Sequence, residues 1–157
     1  MSTQTNPAVS EAVAAQSIPM MAQVYVRLRH RLREVETLLD QVIRGELLDE
    51  AGDARVAPRQ TLEMQAASLR DLAERAHVVP ISSRAIVGSL VSAQTEPDGP
   101  VEAYEIVLPT ESDPATRKVA FDSPIGRALL GAEVGDRVAV ETPRGQRHLR
   151  VIVVRHE

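Results

Sequence analysis

The sequence predicts an α+β protein: an N-terminal antiparallel helical hairpin, then an antiparallel β domain with one short helix. Three observations carry that expectation. Leu28, Leu32, Val35, Leu39 and Val42 follow the 4-3-4 spacing of a coiled-coil seam, and Leu62, Ala66, Leu69, Ala73 and Ala76 repeat it. After Pro80 helical spacing gives way to alternation, at Tyr104, Ile106 and Leu108 and again at Leu149, Val151 and Val153. Between those runs, Asp122-Ser123-Pro124 opens a brief helical stretch that Gly131 closes.

The elements follow in order. Residues 1–17 are small, polar and Ala-rich and read as a disordered tail. Residues 18–79 form the hairpin: a first helix over 19–45 with Val24 extending its seam, and a second over 59–76 with Pro58 at its start. Two such stripes on neighbouring segments bury each other only by folding back. The tip then lies between about residues 46 and 57. Residues 80–157 form the β domain. Ile86 to Val91 and Ala103 to Leu108 read as strands around a Pro97-Asp98-Gly99 turn, and Lys118 to Phe121 as a short extended piece. Ile125, Leu129 and Leu130 give the small helix an apolar face. Gly135-Asp136 is a turn, and Thr142 to Gly145 joins two final strands as a hairpin.

Composition narrows the function. The net charge is −4, with nine basic and eleven acidic residues in 1–80 and the same numbers in 81–157. A protein held mainly by free nucleic acid usually shows a broad basic face, so DNA contact is not expected to dominate. There is no cysteine, hence no disulfide framework or thiolate metal site. No apolar run approaches the roughly 18 residues that span a bilayer, and no signal peptide is evident. A cytoplasmic, monomeric protein without membrane contact is expected. His30, His77, His148 and His156 have no metal-ligand spacing and read as structural or surface residues.

Charge is organised locally. Glu46, Asp49, Glu50 and Asp53 cluster at the end of the first arm. If the helix continued to Ala51, the first three would share a face, where they would repel one another and oppose the helix dipole. Clustered carboxylates can hold Mg²⁺ through oxygen, or they can be a solvated helix end. Arg27, Arg29, Arg31 and Arg33 alternate on the same arm as two i, i+4 pairs that leave the seam clear. Phosphate contact and a solvated face paired with Glu34 and Glu36 are both open, and no aromatic residue interleaves for base stacking.

From Phe121 to Gly145 the wording Asp-Ser-Pro, Ala-Leu-Leu-Gly, Val-Gly-Asp and Thr-Pro-x-Gly resembles the C-terminal domain of the bacterial transcript cleavage factors GreA and GreB, a likeness extending over Ser83 to Glu157. The resemblance implies an FKBP-like domain that docks on the rim coiled coil of the RNA polymerase β′ subunit, with Asp122, Ser123, Pro124 and Ile125 as the binding segment. It implies a tip that enters the polymerase secondary channel. The family's Gly-Asp-Leu-x-Glu-Asn-Ala falls on Gly45-Glu46-Leu47-Leu48-Asp49-Glu50-Ala51, with Asp and Glu exchanged. Glu46 and Asp49 would then share a polymerase Mg²⁺, position water and promote hydrolysis of backtracked RNA. Arg27, Arg29, Arg31 and Arg33 would contact the extruded RNA near its 3′ end. The protein would be an accessory factor, not an enzyme, with no cofactor of its own.

Two departures keep a second reading open. The tip continues as Ala51-Gly52-Asp53, without the family's Glu and aromatic residue, and the first arm, Pro19 to Gly45, is only about 40 Å long at 1.5 Å per residue. A binding-only regulator or inhibitor of RNA polymerase fits those features. A prolyl isomerase, suggested by the FKBP-like domain, ranks last, because Tyr104 and Phe121 are the domain's only aromatic residues.

Overall fold

In the computed structural model, which describes residues 17–46, 58–81 and 83–156, the two seams become two helices. α1 spans Ala22–Ile43 and α2 spans Arg59–Arg75. Val24, Leu28, Leu32, Val35 and Val42 are buried on α1, and Leu62, Ala66, Leu69 and Leu72 on α2. Spacing of three and four puts each set on one side of its helix, where it supplies the cover the other needs. β1 (Ile18–Met20) precedes α1 and pairs with β2 (Ala76–Val78), which follows α2, so the helices run antiparallel. Arg70 Nε donates to Glu36 Oε1 across the pair at 2.8 Å. An exposed ion pair contributes at most about 1 kcal/mol, and burial of one leucine about 1.5–3 kcal/mol, so the seam dominates the hairpin.

Four details differ from the spacing. Leu39, expected in the first seam, is only half-buried. Leu72 is buried where Ala73 was expected, because a leucine on the flank of the stripe fills interior that an alanine methyl cannot. Ala76 is extended at ψ 132° and belongs to β2, so the second seam stops one step early. The first helix starts at Ala22, because residues 19–21 are extended: Val87 N–H donates to the Pro19 carbonyl and Met21 N–H to the Val87 carbonyl.

The described chain forms two compact units, one built on Ala22–His77 and the other on Val78 onward with Pro19–Met21. The second holds β3 (Ser89–Thr95), β4 (Val101–Val107), β5 (Lys118–Ala120), α3 (Pro124–Leu129), β6 (Arg137–Thr142) and β7 (Gly145–His156). Its five strands lie in the order β5-β4-β3-β7-β6. β3 is antiparallel to β4 and β7, and β7 to β6, whereas the edge pair β4–β5 is parallel. Val91, Ala93, Tyr104, Ile106, Val140, Leu149 and Val151 are buried by alternation, and Phe121 and Leu129 are buried too.

The strand expected from Ile86 begins later. Gly88 takes φ +107° and Ser89 N–H closes a turn onto the Ile86 carbonyl, so extended pairing starts at Ser89. A bulge opposite Ser92 and Ala93 leaves Ile152 out of register between Val151 and Val153. No helix among the described residues is long and apolar enough to cross a membrane.

Candidate functional site

The segment from Ala120 to Gly131 is a surface knuckle fixed by its own backbone. Phe121 N–H donates to the Val107 carbonyl at 3.0 Å, which ties the end of β5 to β4. Ser123 then caps α3. Its Oγ accepts from Gly126 N–H at 3.1 Å and donates to the Ala120 carbonyl at 2.6 Å. Ser123 N–H also reaches the Ala120 carbonyl, at 3.0 Å. Pro124 takes the first helical position, where an N–H would have no helical partner. At the far end Gly131 adopts φ +83° and donates to the Ala85 carbonyl at 2.7 Å.

Gly126 is the tightest point of this arrangement. A Cβ there would lie 1.9 Å from the Ala120 carbonyl oxygen. Only a glycine lets α3 lie this close to the end of β5. Leu129 is completely buried beneath the helix, while Ile125 is half-buried. Asp122 and Pro124 are exposed. The four predicted binding residues therefore form one continuous feature: an outward acid and an outward proline, with a serine and an isoleucine anchoring the turn between and behind them.

A polar cluster ties the start of β4 to the turn that precedes β5. Glu102 accepts from Tyr104 Oη at 2.7 Å and from Arg117 at 2.6 Å. The Tyr104 hydroxyl, and next the Arg117 guanidinium, hold the Glu102 carboxyl below its ordinary value of 4.5. Burial, reinforced by the Glu102 charge, pushes the Tyr104 phenol up to about 12. Arg117 sits at φ +56°, and its carbonyl accepts from Glu105 N–H, immediately before β5 pairs with β4. Sequence reasoning did not single out Glu102 or Arg117. The local signal was Pro114-Ala115-Thr116-Arg117, a turn ahead of a strand; the acid it reaches lies fifteen residues earlier. Gly126 was also passed over, although a glycine inside a six-residue helix needs a reason.

In the hairpin unit, α1 ends in a closed cap. Gly45 takes φ +75°, Glu46 N–H donates to the Gln41 carbonyl at 2.9 Å, and Gly45 N–H donates to the Val42 carbonyl at 3.0 Å. This pair of bonds is the Schellman motif. It overturns the condition under which Glu46, Asp49 and Glu50 would share a helical face, since the helix stops before Glu46. Glu46 is exposed, with no side-chain partner among the described residues. Asp49 lies outside the described residues, as do Glu50 and Asp53.

Arg27, Arg29, Arg31 and Arg33 are all exposed along α1. Arg31 pairs with Glu34 at 3.4 Å and His30 lies 3.7 Å from the same carboxylate, while Glu36 is engaged by Arg70. The ladder is thus partly neutralised in its middle. His156 Nδ1 lies 2.9 Å from the buried Ser89 hydroxyl, a structural contact. No cluster of three or more His, Cys, Asp or Glu able to hold a metal occurs among the described residues.

Comparison with known proteins agrees with the geometry of the second unit. Residues 81–156 match the family described as "Transcription elongation factor, GreA/GreB, C-term". The chain is 30% identical over 153 residues to the transcription elongation factor GreA of Desulfovibrio desulfuricans, covering 88% of this chain and 93% of that protein. It is 33% identical over 103 residues to GreA of Bacillus cereus, covering 66% of this chain but spanning only 61% of that relative's length. It is also 29% identical over 140 residues to the transcription inhibitor protein Gfh1 of Thermus thermophilus, covering 85% of this chain and 90% of that protein.

Proposed function

The chain belongs to the GreA/GreB family of transcription elongation factors, and on that premise we propose that it binds bacterial RNA polymerase through the Asp122–Ile125 knuckle and acts through the secondary channel. The observation that carries this reading is the knuckle itself. Asp122 and Pro124 are exposed on a turn whose backbone is fixed by Ser123 and Gly126. A rigid exposed acid beside a proline suits a partner that offers a cation and a flat apolar surface, because little ordering entropy is lost on docking. The rim coiled coil of the β′ subunit is the surface the family resemblance names.

At the other unit, the exposed Glu46 carboxylate is the described residue suited to Mg²⁺, which prefers oxygen ligands and keeps much of its water. A single exposed carboxylate suits a metal shared with the polymerase, to which it would add one oxygen ligand. That metal would supply activated water and charge neutralisation. Glu46 would orient the shared ion's surroundings, Asp49 would supply the second carboxylate, and Arg27, Arg29, Arg31 and Arg33 would lie against the phosphates of extruded RNA. The protein would then be an accessory to the polymerase's own RNA hydrolysis.

A second reading, inhibition without cleavage, draws on the arm. α1 has 22 residues, which at 1.5 Å per residue is about 33 Å, and α2 has 17, about 26 Å. The described helices are short, and a transcription inhibitor is among the relatives. One experiment separates the two readings. Backtracked polymerase complexes are incubated with the protein and with a Glu46→Ala/Asp49→Ala variant. Short 3′ RNA fragments that disappear with the variant support cleavage; slowed synthesis without fragments supports inhibition. Unchanged polymerase affinity of Asp122→Ala and Pro124→Ala would refute the docking assignment.

A further inference from the structure

We infer that Arg127 is a second charged contact of the docking knuckle, engaging a carboxylate of the polymerase while Asp122 engages a cation. This rests on the docking reading above and specifies the charge pattern of the partner surface. α3 is only six residues long and buries Gly126 and Leu129. Pro124 and Arg127 are its exposed positions, one turn apart, so Arg127 stands on the same outward side as the proline.

Asp122 and Arg127 also hold a particular relation to the cap. With Ser123 as N-cap, Asp122 precedes it and Arg127 is the fourth helical residue. These are the two positions that an apolar staple normally brings into contact. Here they carry an acid and a base, both exposed, and among the described residues neither side chain has a hydrogen bond or ion pair. The exposed arginines Arg117, Arg137 and Arg150 are engaged by acids, the first by Glu102 and the other two by Glu96, and neither acid pairs with Arg127 among the described residues. The nearest acid beyond α3, Glu133, is taken by Arg84 and Ser83.

The backbone beneath Arg127 has no latitude. Arg127 N–H donates to the Ser123 carbonyl at 2.8 Å, and its neighbour Gly126 is pressed on Ala120. An exposed acid just before the cap and an exposed base at the fourth helical position, each on a backbone held by the cap and neither neutralising the other among the described residues, present a dipolar patch. The complementary surface is a helix with a cation and a carboxylate at i, i+3 or i, i+4 spacing. A partner in the reverse orientation would place like charges together, so the pair would also set docking polarity.

The test measures affinity of the full chain for purified bacterial RNA polymerase at low and high salt. Arg127→Ala, Arg127→Glu, Asp122→Ala and Arg144→Ala are compared, with thermal melts confirming that each variant is folded. Arg144 is an exposed hairpin-turn arginine with no side-chain partner among the described residues, and serves as the control for general electrostatics. The expected result is a loss of about tenfold for Arg127→Ala, the scale of one charge-assisted hydrogen bond. Arg127→Glu should lose more, the losses should shrink at high salt, and Arg144→Ala should stay within about twofold. Weakened binding by Asp122→Ala with Arg127→Ala unchanged would overturn the inference and leave the docking reading standing. An equal loss in Arg144→Ala would overturn it as non-specific charge attraction. If neither Asp122→Ala nor Arg127→Ala weakens binding, the docking reading fails and this inference with it.

Discussion

At the scale of single residues, the informative positions are those where an atom has no room or a charge has a fixed partner. Gly126→Ala should destabilise the β unit by about 3 kcal/mol, because the new methyl meets the Ala120 carbonyl and not a flexible side chain; urea unfolding measures it. Glu102→Gln should cost about 1 kcal/mol at pH 7, a value reduced by the partial exposure of its partner Arg117. The Glu102 carboxyl is held low in the folded protein, so its contribution is present above pH 4.5 and is lost as pH falls through the folded value. The stability gap between wild type and Glu102→Gln should therefore close in acid, which denaturation at a series of pH values would show. The Tyr104 phenol is pushed up to about 12, so its contribution is present below pH 10 and disappears as pH rises towards 12. In a Tyr25→Phe background, tyrosinate absorption should rise with a midpoint near 12; a midpoint near 10 would contradict the hydrogen bond to Glu102. Of these residues, Ser123 and Pro124 were legible as a cap because the signal is contiguous. Glu102 and Arg117 were not, because their contact depends on the β4–β5 register.

At the scale of elements, periodicity located the two helices well and their ends less well. The seam residues Leu28, Leu32, Leu62 and Leu69 are buried as their spacing requires. The ends moved because tertiary hydrogen bonds compete with helical ones: Pro19 and Met21 bond to Val87, and Ala76 joins β2. Burial of Val91 and Ala93 carries β3 past the run from Ile86 that marked it, since Gly88 turns the chain first. The parallel β4–β5 pair was not visible either, because alternation reports which face is buried and not which direction a neighbour runs. Leu69→Ala should lower hairpin stability by about 2–5 kcal/mol, measured by loss of helical circular dichroism with denaturant. Exposed Met64→Ala on the same helix should change it by less than about 0.5 kcal/mol.

At the scale of the whole molecule, the fold class and the family were both readable from the sequence. The β unit carries its wording contiguously from Phe121 to Gly145, and the family match covers residues 81–156. The acidic tip was readable only as composition, since Asp49 lies outside the described residues and Glu46 follows the end of α1. The two units carry separable roles in the proposed function. Asp122→Ala should weaken polymerase binding by about tenfold, while Glu46→Ala should leave affinity within about twofold and alter RNA cleavage or inhibition alone; filter binding and transcript gels read the two effects. The cap that ends α1 has a practical consequence. Its bonds, Glu46 to Gln41 and Gly45 to Val42, are contained within six residues and ask nothing of the sequence beyond them. The arm therefore ends in a ready-made splice point. Loops taken from cleaving and inhibiting relatives could be grafted after Glu46 without redesigning the helix, turning one chain into a common handle for comparing tips.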